Sequence, residues 1–225
     1  MANAVSPVRA RVRRRQADRT ALSDRLLTEA AIELIVQFGV QGTTLQAVGA
    51  RAGYSRGLAT HRFGSKAGLF GKVLQVASLD WFERMQAAVG DRVGVDALCA
   101  ATDAAETFVR ERPNEVRAMY LLWFLGIDAG ADYKSNIATV HHAQRRDVAR
   151  WIRAARSAGT IDRSVDPERV AEQYAASMAG LIYQWLADSE MPLSAMFGQL
   201  KSDLRARLQR KPNGARPARR ASRKG

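Results

Sequence analysis

The sequence predicts an all-α protein, and three observations carry that prediction. Apolar residues recur at helical spacing in one segment after another. Glycine, proline and N-capping residues punctuate between those segments. No run of any length alternates with the two-residue period of a strand.

The first helical stripe covers residues 22–38, with Leu26, Leu27, Ala30, Ala31, Leu34, Ile35 and Phe38 on one face. Ser23 or Asp24 is suited to cap its start, and Gly39 to end it. A second pattern begins at Thr43-Thr44 and runs through Leu45, Val48 and Ala52 to Gly53. Ser55 then offers an N-cap for a third short helix reaching Arg62, and Phe63-Gly64-Ser65 breaks it. A long fourth helix carries Leu69, Phe70, Val73, Leu74, Ala77 and Trp81. Two short helices joined by about three residues including glycine form a helix-turn-helix pattern. The second of them shows Arg56, Gly57, Thr60 and His61 on its outer side. Such a face either approaches a major groove or is simply solvated.

Helical patterning continues to the end. Residues 95–111 turn Leu98, Ala101, Ala105, Phe108 and Val109 inward, and Pro113 opens the next helix. Residues 116–127, VRAMYLLWFLGI, are apolar all round and predict a helix buried on every side. Residues 136–157 are amphipathic, with Val140, Val148, Trp151 and Ile152 inward and five arginines around them. Asp166-Pro167 opens a helix to about Asp188, and a last one spans Leu193 to Leu208.

Charge divides the chain differently. The net +13 of the 225 residues suits a polyanionic partner, nucleic acid or acidic lipid. Residues 1–20 hold six arginines against Asp18, and residues 205–225 hold nine basic residues and no acid. The stretch 21–204, with 20 basic and 21 acidic residues, is close to neutral. Within it, residues 21–75 carry +3 and residues 76–204 carry −4. The two basic flanks, 1–20 and 209–225, are therefore expected to be disordered arms.

Several classes of function are excluded or disfavoured. A single cysteine, Cys99, forms no intramolecular disulfide and no cysteine-based zinc site. His141-His142 is the only histidine pair, and neighbours on a helix point about 100° apart, a poor joint metal site. No nucleophile–base arrangement or phosphate-cradling loop stands out, so neither an enzyme nor a cofactor is expected. The N-terminus lacks the apolar stretch of a secretory signal, and a cytoplasmic protein is expected.

The stretch RLLTEAAIELIVQFGVQGTTLQAVGARAGYSRGLATHRFGSKAGLF resembles the DNA-binding domain of the TetR family of transcriptional regulators. The spaced matches are Phe38-Gly39, Gly42-Thr43-Thr44, Ala47-Val48, Ala52-Gly53, Ser55-Arg56-Gly57, Phe63, Ser65-Lys66 and Leu69-Phe70. The resemblance implies a three-helix helix-turn-helix domain over 21–70, then a larger helical ligand-binding and dimerisation domain over 71–208, about nine helices. It also implies a homodimer on a palindromic operator, responsive to a small-molecule effector.

By position, the resemblance assigns Thr44 to a helix cap and phosphate contact, and Tyr54, Ser55 and Lys66 to backbone phosphate. Arg56, Thr60 and His61 would face base edges, with Arg56 suited to bidentate guanine readout. Many relatives have an aromatic residue where Thr60 stands, so His61 or Arg62 is expected to take part of its role. Arg13, Arg14 and Arg15 suit a minor-groove arm or a solvated tail. Trp81, Phe82, Met85, Phe108, Met119, Tyr120, Trp123 and Phe124 are the candidate walls of a pocket for an apolar ligand. Tyr174, Met178, Leu181, Trp185, Phe197 and Leu200 are the candidate dimer interface, with packing within one chain as the alternative. A competing reading of the whole chain is a charge-driven nucleic-acid-coating protein whose tails do most of the binding.

Overall fold

The computed structural model describes residues 7–127 and 133–209. Among these, nine helices and no strand are present: α1 (Pro7–Gly42), α2 (Leu45–Arg51), α3 (Arg56–Phe63), α4 (Lys66–Val89), α5 (Gly94–Glu111), α6 (Pro113–Leu125), α7 (Lys134–Ser157), α8 (Pro167–Ala187) and α9 (Leu193–Leu208). The all-α expectation holds, and each sequence segment forms a helix.

Helix α1 starts earlier than its apolar stripe predicts. Residues 7–20 were expected as part of an irregular arm and are instead helical. Pro7 sits where its missing N–H is harmless, and the Arg, Ala and Gln that follow are good helix formers with no breaker among them. Ser23 consequently lies inside the helix, its hydroxyl donating to Thr20 O at 2.9 Å, and caps nothing. The break falls at Gly39, whose φ of 73° is open to a residue without Cβ. The tail 210–225 and residues 1–6 lie outside the described residues. Gln209 does not, and it bridges to Ile161.

Two cores form, and they do not divide at residue 70. The head core joins Leu27, Ile35, Val48, Ala59 and Leu69 of α1–α4. It runs on through Val73, Leu74 and Ala77 of α4 to Ala118, Met119 and Leu122 of α6. The body core centres on α5, where Leu98, Ala105, Phe108 and Val109 are wholly buried among α4, α7, α8 and α9. Each such large side chain contributes about 1.5–3 kcal/mol on burial. Helix α4 belongs to both cores, through Met85 and Val89 in the body and Leu69 to Ala77 in the head.

Two further expectations are corrected. Helix α6 is not enclosed on all sides: Leu121 and Phe124 are exposed, because the head core and body core cover only two of its faces. Of the predicted interface residues, Tyr174, Met178 and Phe197 are buried within their own chain, the packing weighed as the alternative. Tyr174 shares a 3.0 Å hydrogen bond with Thr102 of α5, which holds its hydroxyl inside. Leu181, Trp185 and Leu200 pack against the same core and are partly covered. The large residues of α8 and α9 are drawn inward, and the outer face of α8 is Glu172, Gln173, Ala176, Gly180, Tyr183 and Gln184.

Candidate nucleic-acid interface and interior cavity

Serine and threonine caps fix the geometry of the head. Thr44 Oγ1 accepts from Ala47 N at 3.1 Å, and Ser55 Oγ accepts from Leu58 N at 3.2 Å. Ser65 does the same for Gly68 N at 3.0 Å. Helices α2 and α3 meet very closely: a Cβ on Gly49 would stand 3.0 Å from Ser55 O. Tyr54 N donates to Gly49 O at 2.8 Å, which locks the turn. Ala59, Leu58 and Phe63 turn α3 onto the head core, leaving Arg56, Gly57, Thr60 and His61 on its exposed face. The spacing read from the sequence therefore places these four together.

The remaining head residues divide. Thr44 and Ser55 are exposed, and their hydroxyls are occupied as caps. Tyr54 is partly buried against the head core. Lys66 donates to Gln41 O at 2.9 Å and lies over the Phe70 ring at 5.6 Å, so it fastens α4 to the end of α1. Arg62 is a correction to the expected DNA-facing set. Its Nε pairs with Asp24 at 3.2 Å and its Nη2 donates to Thr20 at 3.1 Å. Arg13, Arg14 and Arg15 fall within α1, where the side chains of residues 7–15 lie outside the described set.

In the body, Trp81, Phe82, Met119, Tyr120 and Trp123 meet around a narrow apolar cavity of about 30 Å³. Met85 lines a neighbouring space of about 20 Å³ together with Trp81 and Phe82. Phe108 stands behind, fully buried and edge-on to Trp81 at 5.3 Å. Phe124 points away from the cavity and packs in the open on Tyr183, 5.3 Å between ring centres.

The pattern missed Ser78, His141 and Gln144, which also line the cavity. The His141 ring packs against that of Trp123 at a tilt of 54°, 4.7 Å between ring centres. Burial, then Arg145 and His142, push its pKa below the usual histidine value, so it is neutral at pH 7. Trp123 Nε1 and Ser78 Oγ are buried without a hydrogen-bond partner among the described residues. Tyr120 donates to Ala179 O at 2.8 Å, and burial raises its pKa far above the ordinary value. Helix α7 reads as a surface helix from its arginines, which hides the inward turn of His141 and Gln144.

Among the described residues no cluster of metal-ligating side chains occurs, and no helix is long and apolar enough to cross a membrane. What remains is a capped polar recognition helix on a small head, joined through α4 and α6 to a helical body with an apolar interior cavity. That is the arrangement of a helix-turn-helix regulator. Residues 27–73 match the family described as bacterial regulatory proteins, tetR family.

Solved structures agree in fold. A putative TetR-family transcriptional regulator from Rhodococcus sp. aligns at TM-score 0.68 and 22% identity, over 83% of this chain and 98% of that one. SmeT, the repressor of the Stenotrophomonas maltophilia multidrug efflux pump SmeDEF, aligns at TM-score 0.70 and 20% identity, over 84% and 91%. A SmeT–triclosan complex aligns at TM-score 0.69 and 21% identity, over 86% and 97%. No curated protein matches the chain in sequence.

Proposed function

We propose that the protein is a transcriptional repressor that holds a palindromic operator as a homodimer and leaves it when a small, largely apolar ligand enters the body. The observation that carries this reading is the place of Met119, which belongs to the head core and also lines the apolar cavity. Ligand sites occupy roughly 300–1,000 Å³, so a cavity of about 30 Å³ must widen before it holds one. Close-packed cores do not absorb such a change locally. Parting α4 from α6 and α7 therefore moves the head as well. A difference of about 1–3 kcal/mol in ligand affinity between two such arrangements shifts DNA affinity roughly 5–150-fold.

On the DNA side, Arg56, Thr60 and His61 supply the base-facing residues and the α2–α3 caps present backbone N–H groups to phosphate. In a dimer, two such heads about 34–36 Å apart meet successive major grooves. The outer faces of α8 and α9 suit the dimer contact, since Ala176, Gly180 and Gly198 permit close helix approach. The triclosan complex of SmeT supports an apolar aromatic effector for this chain too.

Selection of genomic fragments by the purified full-length protein tests the reading. Enrichment of one inverted repeat is the expected result, and recovery no different from sheared bulk DNA overturns it.

A further inference from the structure

A cleft of about 860 Å³ lies between α4 and α7, far larger than the apolar cavity beside it. Ser78, Phe82 and Val140 line both, so the two spaces share a wall. The lining of α4 changes character along its length, from Lys72 and Gln75 through Ser78 to Phe82. At 1.5 Å per residue that gradient spans about 15 Å from Lys72 to Phe82. Its apolar end opens toward Trp81 and Trp123.

The polar end holds unspent hydrogen-bonding capacity. Ser78 and Tyr133 are more than nine-tenths buried, and their hydroxyls have no partner among the described residues. Native structures rarely leave such groups unpaired, because each costs its full desolvation. Burial raises the pKa of Tyr133, so its hydroxyl stays a donor at neutral pH. Lys72 donates to Gln75 at 3.2 Å, a neutral partner. Among the described residues the one carboxylate lining the cleft is Asp24, which pairs with Arg62 at 3.2 Å. Among the described residues the charge lining the cleft is Arg62, Lys72 and Asp24, a net positive set, and Lys72 is the cation there with no carboxylate partner.

We propose that the cleft and the adjoining cavity form one binding site for a monocarboxylate with an apolar body, its carboxylate held by Lys72, Tyr133 and Ser78 and its body lying toward Phe82 and Trp123. This deepens the reading of a ligand-responsive regulator and rests on it for its consequence. Arg62 and Ser65 of the head also border the cleft, so the carboxylate end would lie between head and body.

Calorimetry on the full chain, with tryptophan fluorescence as a second readout, tests the site with four probes. They are 2-naphthylacetate, decanoate, 2-naphthaleneethanol and 2-naphthylethylammonium. The expected result is that at least one acid binds about tenfold or more tighter than the alcohol, the effect of one charge-assisted hydrogen bond. The naphthyl and alkyl acids separate an aromatic from a fatty ligand. Lys72→Met should bring the acid to the level of the alcohol while leaving the alcohol and the thermal midpoint unchanged. An ammonium probe that binds as well as the acids overturns the proposal, as does an acid no better than the alcohol or insensitive to Lys72→Met. No binding of either acid at millimolar concentration overturns it too. If these failures occur while an inverted repeat is still selected, the regulator reading survives. If the acid binds as expected and operator affinity does not move, the site stands and ligand release is wrong.

Discussion

Arg62 of α3 reaches Asp24 of α1 at 3.2 Å and Thr20 at 3.1 Å, so the last turn of the recognition helix is fastened to the first helix. The residue nearest the expected base-reading face thus works inward. Arg62→Ala should lower the stability of the head by about 1 kcal/mol, typical of a partly exposed ion pair with one added hydrogen bond. Asp24→Asn should lower it by a similar amount, and the double variant by less than the sum of the two. Urea unfolding of the four proteins measures this directly. Additive losses would mean the two side chains do not interact in solution.

Arg56 behaves differently, because among the described residues no side chain pairs with it and it stands exposed. Arg56→Ala should cost roughly 1–3 kcal/mol on the selected operator and relax preference at one base pair. Its unfolding midpoint should stay at the wild-type value. Binding titrations against the operator and its single-base variants check both points. Uniform weakening on every sequence would assign Arg56 to phosphate, and Arg62→Ala should leave the base preference as it was.

The dimer surface makes a separable prediction. A Cβ on Gly180 would meet nothing within 4 Å, so Gly180→Arg leaves the protomer's packing untouched. It should nevertheless turn a dimer into a monomer in sedimentation velocity, since it fills the outer face of α8 beside Ala176. Met178→Ala, on the inward face of the same helix, should instead cost about 2–5 kcal/mol of stability through the cavity it leaves. A dimer that persists in Gly180→Arg would move the interface off this face.

How much of this the sequence discloses depends on which side of a helix a residue occupies. The helices other than the start of α1, Gly39 as a break and Ser55 as a cap follow from local chemistry and are found where expected, and Thr44 caps α2 as the resemblance implies. The exposed set Arg56, Thr60 and His61 follows from helical spacing once Ala59 faces inward. Tertiary choice is not legible in the same way. Tyr174 and Phe197 share an apolar stripe that could serve a partner or the chain's own core, and only the packing of α5 decides for the core. Arg62 looks like a free cation until α1 is known to extend back past Thr20. His141 is likewise hidden, because a helix rich in arginine gives no sign that one of its histidines packs against Trp123.

That inward histidine predicts a pH dependence with a definite sign. Burial, then Arg145 and His142, lower the pKa of His141 below its ordinary value of 6.5. Lys134 and Arg146 of α7 remain in solvent, and the side chains of α4, α6 and α8 that line this cavity include no carboxylate, Tyr120 being the titratable one among them. The unfolded chain therefore takes up a proton at a higher pH than the folded one. Stability is complete above the unfolded value and is lost as pH falls from about 6.5 through the lower folded value. His141→Gln removes the titration, so its urea midpoint should fall less than the wild type's between about pH 7 and pH 5. Equal slopes for the two proteins would mean that His141 stays solvated and does not wall the cavity.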